Sequence, residues 1–446
     1  MKKVLVFASD IVPLAGMATS GGGLRSWQII RGLESRGFEV VYSLPWNRFL
    51  RREFDDNLPQ NVRERLWTDS NQDEIIEKEK PDVIVCVKPS TRKWENNHDI
   101  PVAIDFHGPD LIEFEQMAKD YLPTARFALA TRKLQSIAQG DFFTCAGLRQ
   151  RYYFMAFLMM AGIDISDLEI HYMPVAMSPD LPEHEPDLER RSIIFAGGFY
   201  PWLNPITALK FVAEELQKNE SGNLEIYGGS HDTNPGEKRE FDEFKRELES
   251  NPFVMFHGYV TREKLVESYR RGYLALELMP RNPERELAFT TRTVEFLWAG
   301  LPVIYNNYAE LSDMIQEYQA GWVVSPEDFE ALSEVLGRIR DHPEEVATAS
   351  ENAQRLVREK LVYDSVITPL AEFCENPRRR KRSRESDFLM VPSVKRGFGY
   401  IDQIYLHYRR LPFGEFVKAL IRAAAVITKN RVDNMRIPKI FRSTRE

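Results

Sequence analysis

Cysteine is scarce in this chain: three residues in 446, at positions 86, 145 and 374. Three scattered thiols exclude the paired framework of a small secreted fold. Cys86 and Cys145 sit in apolar, strand-like runs and are expected to be buried thiols. Long apolar runs are missing as well; none approaches the ~20 residues that span a bilayer. The apolar stretch in MKKVLVFASD is too short for a secretory leader and reads as a first strand. No Asp-x-Asp pair offers a metal site, so none is expected.

What is present is ordinary for a soluble globular protein: 43% hydrophobic and 28% charged residues, in a chain long enough for two or three cores. The charge is unevenly placed. Residues 377–446 hold 18 Lys+Arg against 6 Asp+Glu, whereas the remainder holds 41 against 61. An acidic body with a basic tail suggests that the tail meets something anionic.

Leu274–Ile304 concentrates the ligand-type residues. Leu274–Leu278 suits a buried strand, Arg281–Glu286 a polar loop, Thr290–Ala299 a helix stopped by Gly300 and Pro302, and Leu301–Tyr305 the next strand. In an open parallel sheet that loop lies at the carboxyl ends of the strands, where ligands bind. The helix start, Thr290-Thr291-Arg292, offers free N–H groups to a phosphate, and Glu295 one turn on offers a carboxylate to two ribose hydroxyls. The plainer alternative is a surface helix capped by Thr, with Arg and Glu in water.

Thr-Arg-Thr-Val-Glu-Phe-Leu-Trp-Ala-Gly-Leu-Pro-Val-Ile resembles the donor-site signature of GT-B glycosyltransferases, nearest to glycosyltransferase family 4 in its bacterial surface-polysaccharide branch. The resemblance implies that Glu295 binds the ribose of a nucleotide sugar. The family often has a second Glu eight residues earlier. Here that position is Leu287, with Glu284 and Glu286 as the donor-sugar candidates.

Along the chain, Lys3–Ala8 and Phe38–Leu44 read as strands flanking a helix that starts at Ser20-Gly21-Gly22-Gly23-Leu24-Arg25. The glycines permit close backbone approach, although the spacing is not that of a dinucleotide fingerprint. By the resemblance, Gly22 and Gly23 face donor phosphate and Arg25 the acceptor side. Pro101–Phe106 runs into His107-Gly108, and a His at a strand's end can hydrogen-bond a hydroxyl or donate to a leaving oxygen near pH 7. The resemblance puts His107 beside the donor sugar. Asp105 and Glu113 are weaker candidates, Asp105 on the acceptor side. Ala125–Gln139 reads as a helix and Ile170–Val175 as the end of the first domain.

The second domain opens with a strand, Ser192–Ala196, then Gly197-Gly198 before a helix. Those glycines would lie under the donor diphosphate. The family's Arg and Lys after this strand are absent, which leaves helix starts and Arg292, with Arg281 or Arg285, to meet that charge. By the resemblance, Tyr259 and Val260 contact the base. Ser350–Phe373 reads as one long helix returning to the first domain.

The tail lies outside the resemblance. Pro377–Arg384 is a basic run, and Leu411–Lys429 shows an apolar face opposite Lys418, Arg422 and Lys429. Such a helix suits an anionic bilayer or the protein's own surface; no nucleic-acid partner is expected.

The expected fold is α/β, a GT-B pair of Rossmann-like, doubly wound domains facing a cleft: 1–176, linker 177–191, 192–349, crossover 350–376 and tail 377–446. The expected activity is metal-independent, retaining transfer from a nucleoside-diphosphate sugar to a glycan or lipid-linked acceptor, without cofactor, in the cytoplasm or at the inner face of the plasma membrane. His107 and Arg292 would be catalytic. A sugar-nucleotide 2-epimerase and a non-catalytic GT-B subunit are the alternatives.

Overall fold

The structure is a computed structural model. It describes residues 1–381 apart from 15, 47–59, 64, 69, 89–98, 118–122, 167 and 231–234. The amphipathic segment 411–429 and the end of the basic run lie outside the described residues.

The strands are β1 (Lys3–Phe7), β2 (Glu39–Ser43), β3 (Val83–Val87), β4 (Val102–Phe106), β5 (Phe142–Cys145), β6 (Ile170–Tyr172), β7 (Ser192–Phe199), β8 (Asn223–Ser230), β9 (Val254–Gly258), β10 (Leu274–Glu277), β11 (Val303–Asn306) and β12 (Gly321–Val324). The helices begin with α1 (Gly21–Ser35), α2 (Gln60–Arg63), α3 (Gln72–Glu79), α4 (Asp110–Met117), α5 (Pro123–Ala138), α6 (Leu148–Met160), α7 (Ile206–Asn219) and α8 (Pro235–Leu248). They continue with α9 (Arg262–Arg271), α10 (Pro283–Leu287), α11 (Thr291–Trp298), α12 (Glu310–Tyr318), α13 (Phe329–Asp341), α14 (Pro343–Lys360), α15 (Tyr363–Val366) and α16 (Thr368–Glu375).

Apolar runs such as VIVCV (β3) and VAIDF (β4) are buried on both faces, which is why they form parallel strands under helices. The two six-stranded sheets run β2-β1-β3-β4-β5-β6 and β12-β11-β10-β7-β8-β9, every pair parallel. The order reverses between β1 and β3, and again between β7 and β10. Ligand crevices open outside the carboxyl ends of strands at such points. Cys86, Cys145 and Cys374 are buried free thiols, and burial pushes Cys145 and Cys374 up to about 12.

Three local expectations change. The expected long helix over Ser350–Phe373 is α14, α15 and α16, because its apolar positions serve two cores: Leu356, Val357 and Leu361 the second, Ile367 and Leu370 the first. The loop Arg281–Glu286 contains α10, capped by the Asn282 side chain, which accepts from the Glu284 and Arg285 N–H groups at 3.1 Å. Gly197 and Gly198 lie within β7, opposite Gly228 and Gly229 of β8, rather than in the loop after it.

Candidate active site

The switch point of the second sheet is held open by a side chain. β10 pairs with β7 only at Leu274–Ile193 and Ala275–Ile194. Continuing that register would set Glu277 opposite Ala196. Instead the Arg292 guanidinium lies there. It grips Glu277 with two 2.7 Å hydrogen bonds and donates to the Ala196 carbonyl at 2.6 Å. Glu277 is 0% exposed. The missing side chain of Gly197 makes the room: a Cβ there would sit 1.6 Å from Arg292 Nη1. The expected diphosphate cation is therefore first a wedge between two strands, and Glu277 is its counter-ion. The signal for Glu277 was an acidic residue inside an apolar strand.

The neighbouring cations are paired too. Arg285 bonds Glu284 at 2.5 and 2.9 Å, and both are buried. Arg281 bonds Glu286 at 2.8 Å on the surface. The two donor-sugar candidates are thus engaged by arginines one and five residues away.

Glu295 is different. It is buried at 5% exposure, and burial raises its carboxyl above the usual range although Arg262 opposes this. Arg262 Nη2 lies 2.8 Å from Oε1, yet its direction leaves that oxygen without a hydrogen bond. An under-satisfied carboxylate one turn into α11 is poised for hydroxyl donors. Tyr259, which donates its OH to Gly229 O at 2.8 Å, and Val260 lie in the short loop that leads into α9, which Arg262 begins.

The N-terminus of α11 meets that of α1. Thr291 Oγ1 lies 3.3 Å from the Cβ position of Gly21. Thr290 Oγ1 instead meets the Tyr305 hydroxyl at 2.9 Å. Two helix starts converge, each a positive dipole end; Ser20 Oγ caps the Gly23 N–H of α1 at 3.3 Å, whereas α11 has no side-chain cap. Gly22 and Gly23 serve packing: their Cβ atoms would lie 2.9 Å from Ser9 Oγ and 1.9 Å from Ile11 O.

The acceptor-side candidates, Arg25 and Asp105, are buried inside the first domain and paired with each other. Arg25, 0% exposed, bonds Asp105 at 2.7 and 2.9 Å and Pro174 O at 2.8 Å, and Thr144 donates to Asp105 at 2.6 Å. Gln28 joins by accepting from the Ala176 N–H at 3.0 Å. This network grips the chain where it leaves the first sheet.

His107 follows β4. Burial, then the Arg25 and Lys88 cations, lower its pKa to about 3, and its Nδ1 is buried with no hydrogen-bond partner. The ring is neutral at pH 7. It can hydrogen-bond a sugar hydroxyl; it is not a proton donor of ordinary imidazolium strength. The native state refuses a proton that the unfolded chain takes near 6.5. Stability from this residue is therefore present above that pH and is lost as pH falls toward 3. Nearby, Lys88 Nζ stands 3.7 Å from Glu113, whose carboxyl is raised by burial and then by Glu284 and Asp110.

A clasp closes the cleft that no sequence motif announced. Glu310, at the start of α12, accepts from the Leu148 and Arg149 N–H groups at the start of α6, at 2.9 and 3.2 Å. Arg149 donates to the Tyr308 carbonyl, and Gln150 Nε2 donates to Leu287 O at 2.9 Å. The first domain thereby holds α10 of the second.

Residues 179–356 match the family model described as Glycosyl transferases group 1. The sequence matches no curated protein. Among solved structures, the chain is similar to sucrose-phosphate synthase (tll1590) from Thermosynechococcus elongatus: 14% identity, TM-score 0.62, covering 84% of this chain and 98% of that one. It is also similar to Anabaena Alr3699/HepE, seen with UDP-glucose and with UDP and glucose: 12% identity, TM-score 0.57, covering 84% and 100%. At such identities the likeness is one of fold, the GT-B arrangement of two Rossmann-like domains. The family match covers the second sheet and most of α14, so the part of the chain that carries Glu295 and Arg292 is the part similar to that family.

Proposed function

We propose that this protein is a glycosyltransferase that moves a sugar from a nucleoside-diphosphate sugar to a hydroxyl of a glycan or lipid-linked acceptor in cell-surface polysaccharide synthesis. The observation that carries the reading is Glu295, a buried carboxylate with an oxygen left for hydroxyl donors, beside two converging helix starts. The ribose goes to Glu295 and the base to Tyr259 and Val260. The diphosphate goes to the N–H groups of α11 and α1, with Arg292 fixing the strands beneath them. Neutral His107 bonds a hydroxyl of the donor sugar. Stabilising the departing diphosphate with preorganised dipoles lowers the barrier without a metal. The reaction is read as retaining.

A thermal-shift panel of UDP, GDP, ADP, CMP and dTDP, with their common sugars, tests the donor. UDP-glucose leads because the Anabaena structure contains it. Ligand at 100 times its dissociation constant adds ~2.7 kcal/mol of stability. One clear hit, followed by transfer that survives EDTA and a product anomer matching the donor's, supports the whole reading. Donor consumed with no acceptor, giving an epimer, identifies the epimerase instead. No shift from any nucleotide favours the non-catalytic subunit, a reading encouraged by the carboxylate beside each of Arg262, Arg281, Arg285 and Arg292.

The clasp makes a separate prediction. Glu310→Ala removes the acceptor of two α6 N–H groups, so turnover should fall by about tenfold or more through lost cleft alignment. Nucleotide affinity should stay within about twofold, since every donor contact proposed above lies elsewhere. Affinity falling in step with turnover would sink the assignment.

A further inference from the structure

One surface helix is apolar on both sides. α6, LRQRYYFMAFLMM, buries Gln150, Phe154 and Leu158 against the first sheet. Its opposite face carries Leu148, Tyr152, Ala156 and Met159, spaced four, four and three residues apart. Tyr152 is 79% exposed, Met159 60% and Leu148 46%, and Met160 beside them is 47% exposed. An ordinary surface helix is polar on its outer face. The adjoining α5, whose Lys133 Nζ lies 5.0 and 4.9 Å from the Phe154 and Phe157 rings, adds Phe127 at 56% exposure.

The same two helices contain Arg126, Arg132, Lys133, Arg149 and Arg151 and no Asp or Glu. Lys133 is buried on Asp110 and Arg149 donates within the clasp, which leaves Arg126 and Arg151, partly exposed beside Glu115 and Glu169, to face outward. The basic run begins at this end of the domain. Arg380 donates to the Ala138 and Gly140 carbonyls, at 3.2 and 3.3 Å, where α5 ends, and Arg378 and Lys381 are exposed.

We propose that the outer face of α5 and α6, joined by the basic run that starts at Arg378, docks on an anionic lipid bilayer. Tyr and Met side chains enter the boundary between headgroups and acyl chains, and the cations meet the headgroups. A second copy is the poorer occupant, because a two-fold contact would set the same cations against each other. The inference does not depend on the donor chemistry, and its test uses no substrate.

Full-length protein is sedimented with vesicles of phosphatidylcholine alone or mixed with phosphatidylglycerol. Binding is expected to the anionic vesicles and to weaken with salt. Tyr152→Ser combined with Met159→Ser should lower partitioning by at least about tenfold at unchanged Tm, as both side chains face solvent. Arg378→Glu with Lys381→Glu should weaken it similarly. Equal binding to both vesicle types, or none, overturns the proposal. So does wild-type binding by the Tyr152/Met159 variant, which would place the contact on residues after 381. A dimer in solution that the Tyr152/Met159 variant dissociates, without vesicle binding, would make this face a protein interface.

Discussion

Arg292→Ala is expected to cost about 3–5 kcal/mol of folding stability, read from urea unfolding, because it strands the Glu277 carboxylate in the interior. The lower end applies if Arg285, whose Nη1 is 4.0 Å from Glu277, swings closer. Glu277→Gln combined with Arg292→Gln removes both charges and should recover most of the loss. Gly197→Ala should mimic part of it, since its Cβ would occupy the site of Nη1, and the two single effects should combine less than additively. Wild-type unfolding of Arg292→Ala with impaired turnover alone would return this guanidinium to the diphosphate, as the family signature suggests.

Glu295→Ala is expected to weaken nucleotide binding about 100-fold, the worth of two hydrogen bonds to a charged group at ~1.5 kcal/mol each. Its effect on the unliganded protein should have the opposite character. Burial raises this carboxyl, so its ionised form is penalised in the native state. The stability it contributes is present at acid pH and is lost as pH rises through its folded pKa. Glu295→Gln should therefore match or exceed wild-type stability at pH 7, and the gap should close on acidification. Titration calorimetry and urea unfolding on the same variants separate the two effects. Unchanged nucleotide affinity would remove the ribose role, whereas a destabilised Gln variant would show that Arg262 needs the charge.

Much of the architecture was legible in local pattern. Apolar runs of four to eight residues, punctuated by Gly and Pro and alternating with helical period, allow little besides parallel sheets under helices. The strand–helix–strand unit around the Ala-Gly-Leu-Pro turn was legible for the same reason, whereas a donor role for that turn came only from the resemblance. The errors share one physical origin. A sequence names a charge but not its partner. Arg25 meets Asp105 80 residues away and Arg292 meets a carbonyl 96 residues away, so two residues read as ligand-facing have partners that no local pattern named. Gly197 looked like room for a ligand and is room for Arg292. The stripe from Ala353 to Leu370 looked like one helix because apolar spacing does not say which core each side chain enters.

Local periodicity and turn chemistry thus determined the two sheets, their helices and the residue types offered to the cleft. Tertiary structure decided which of those residues still have bonding capacity to give. Burial makes pairing compulsory, and the partner is whatever distant strand or helix the fold brings within 3 Å.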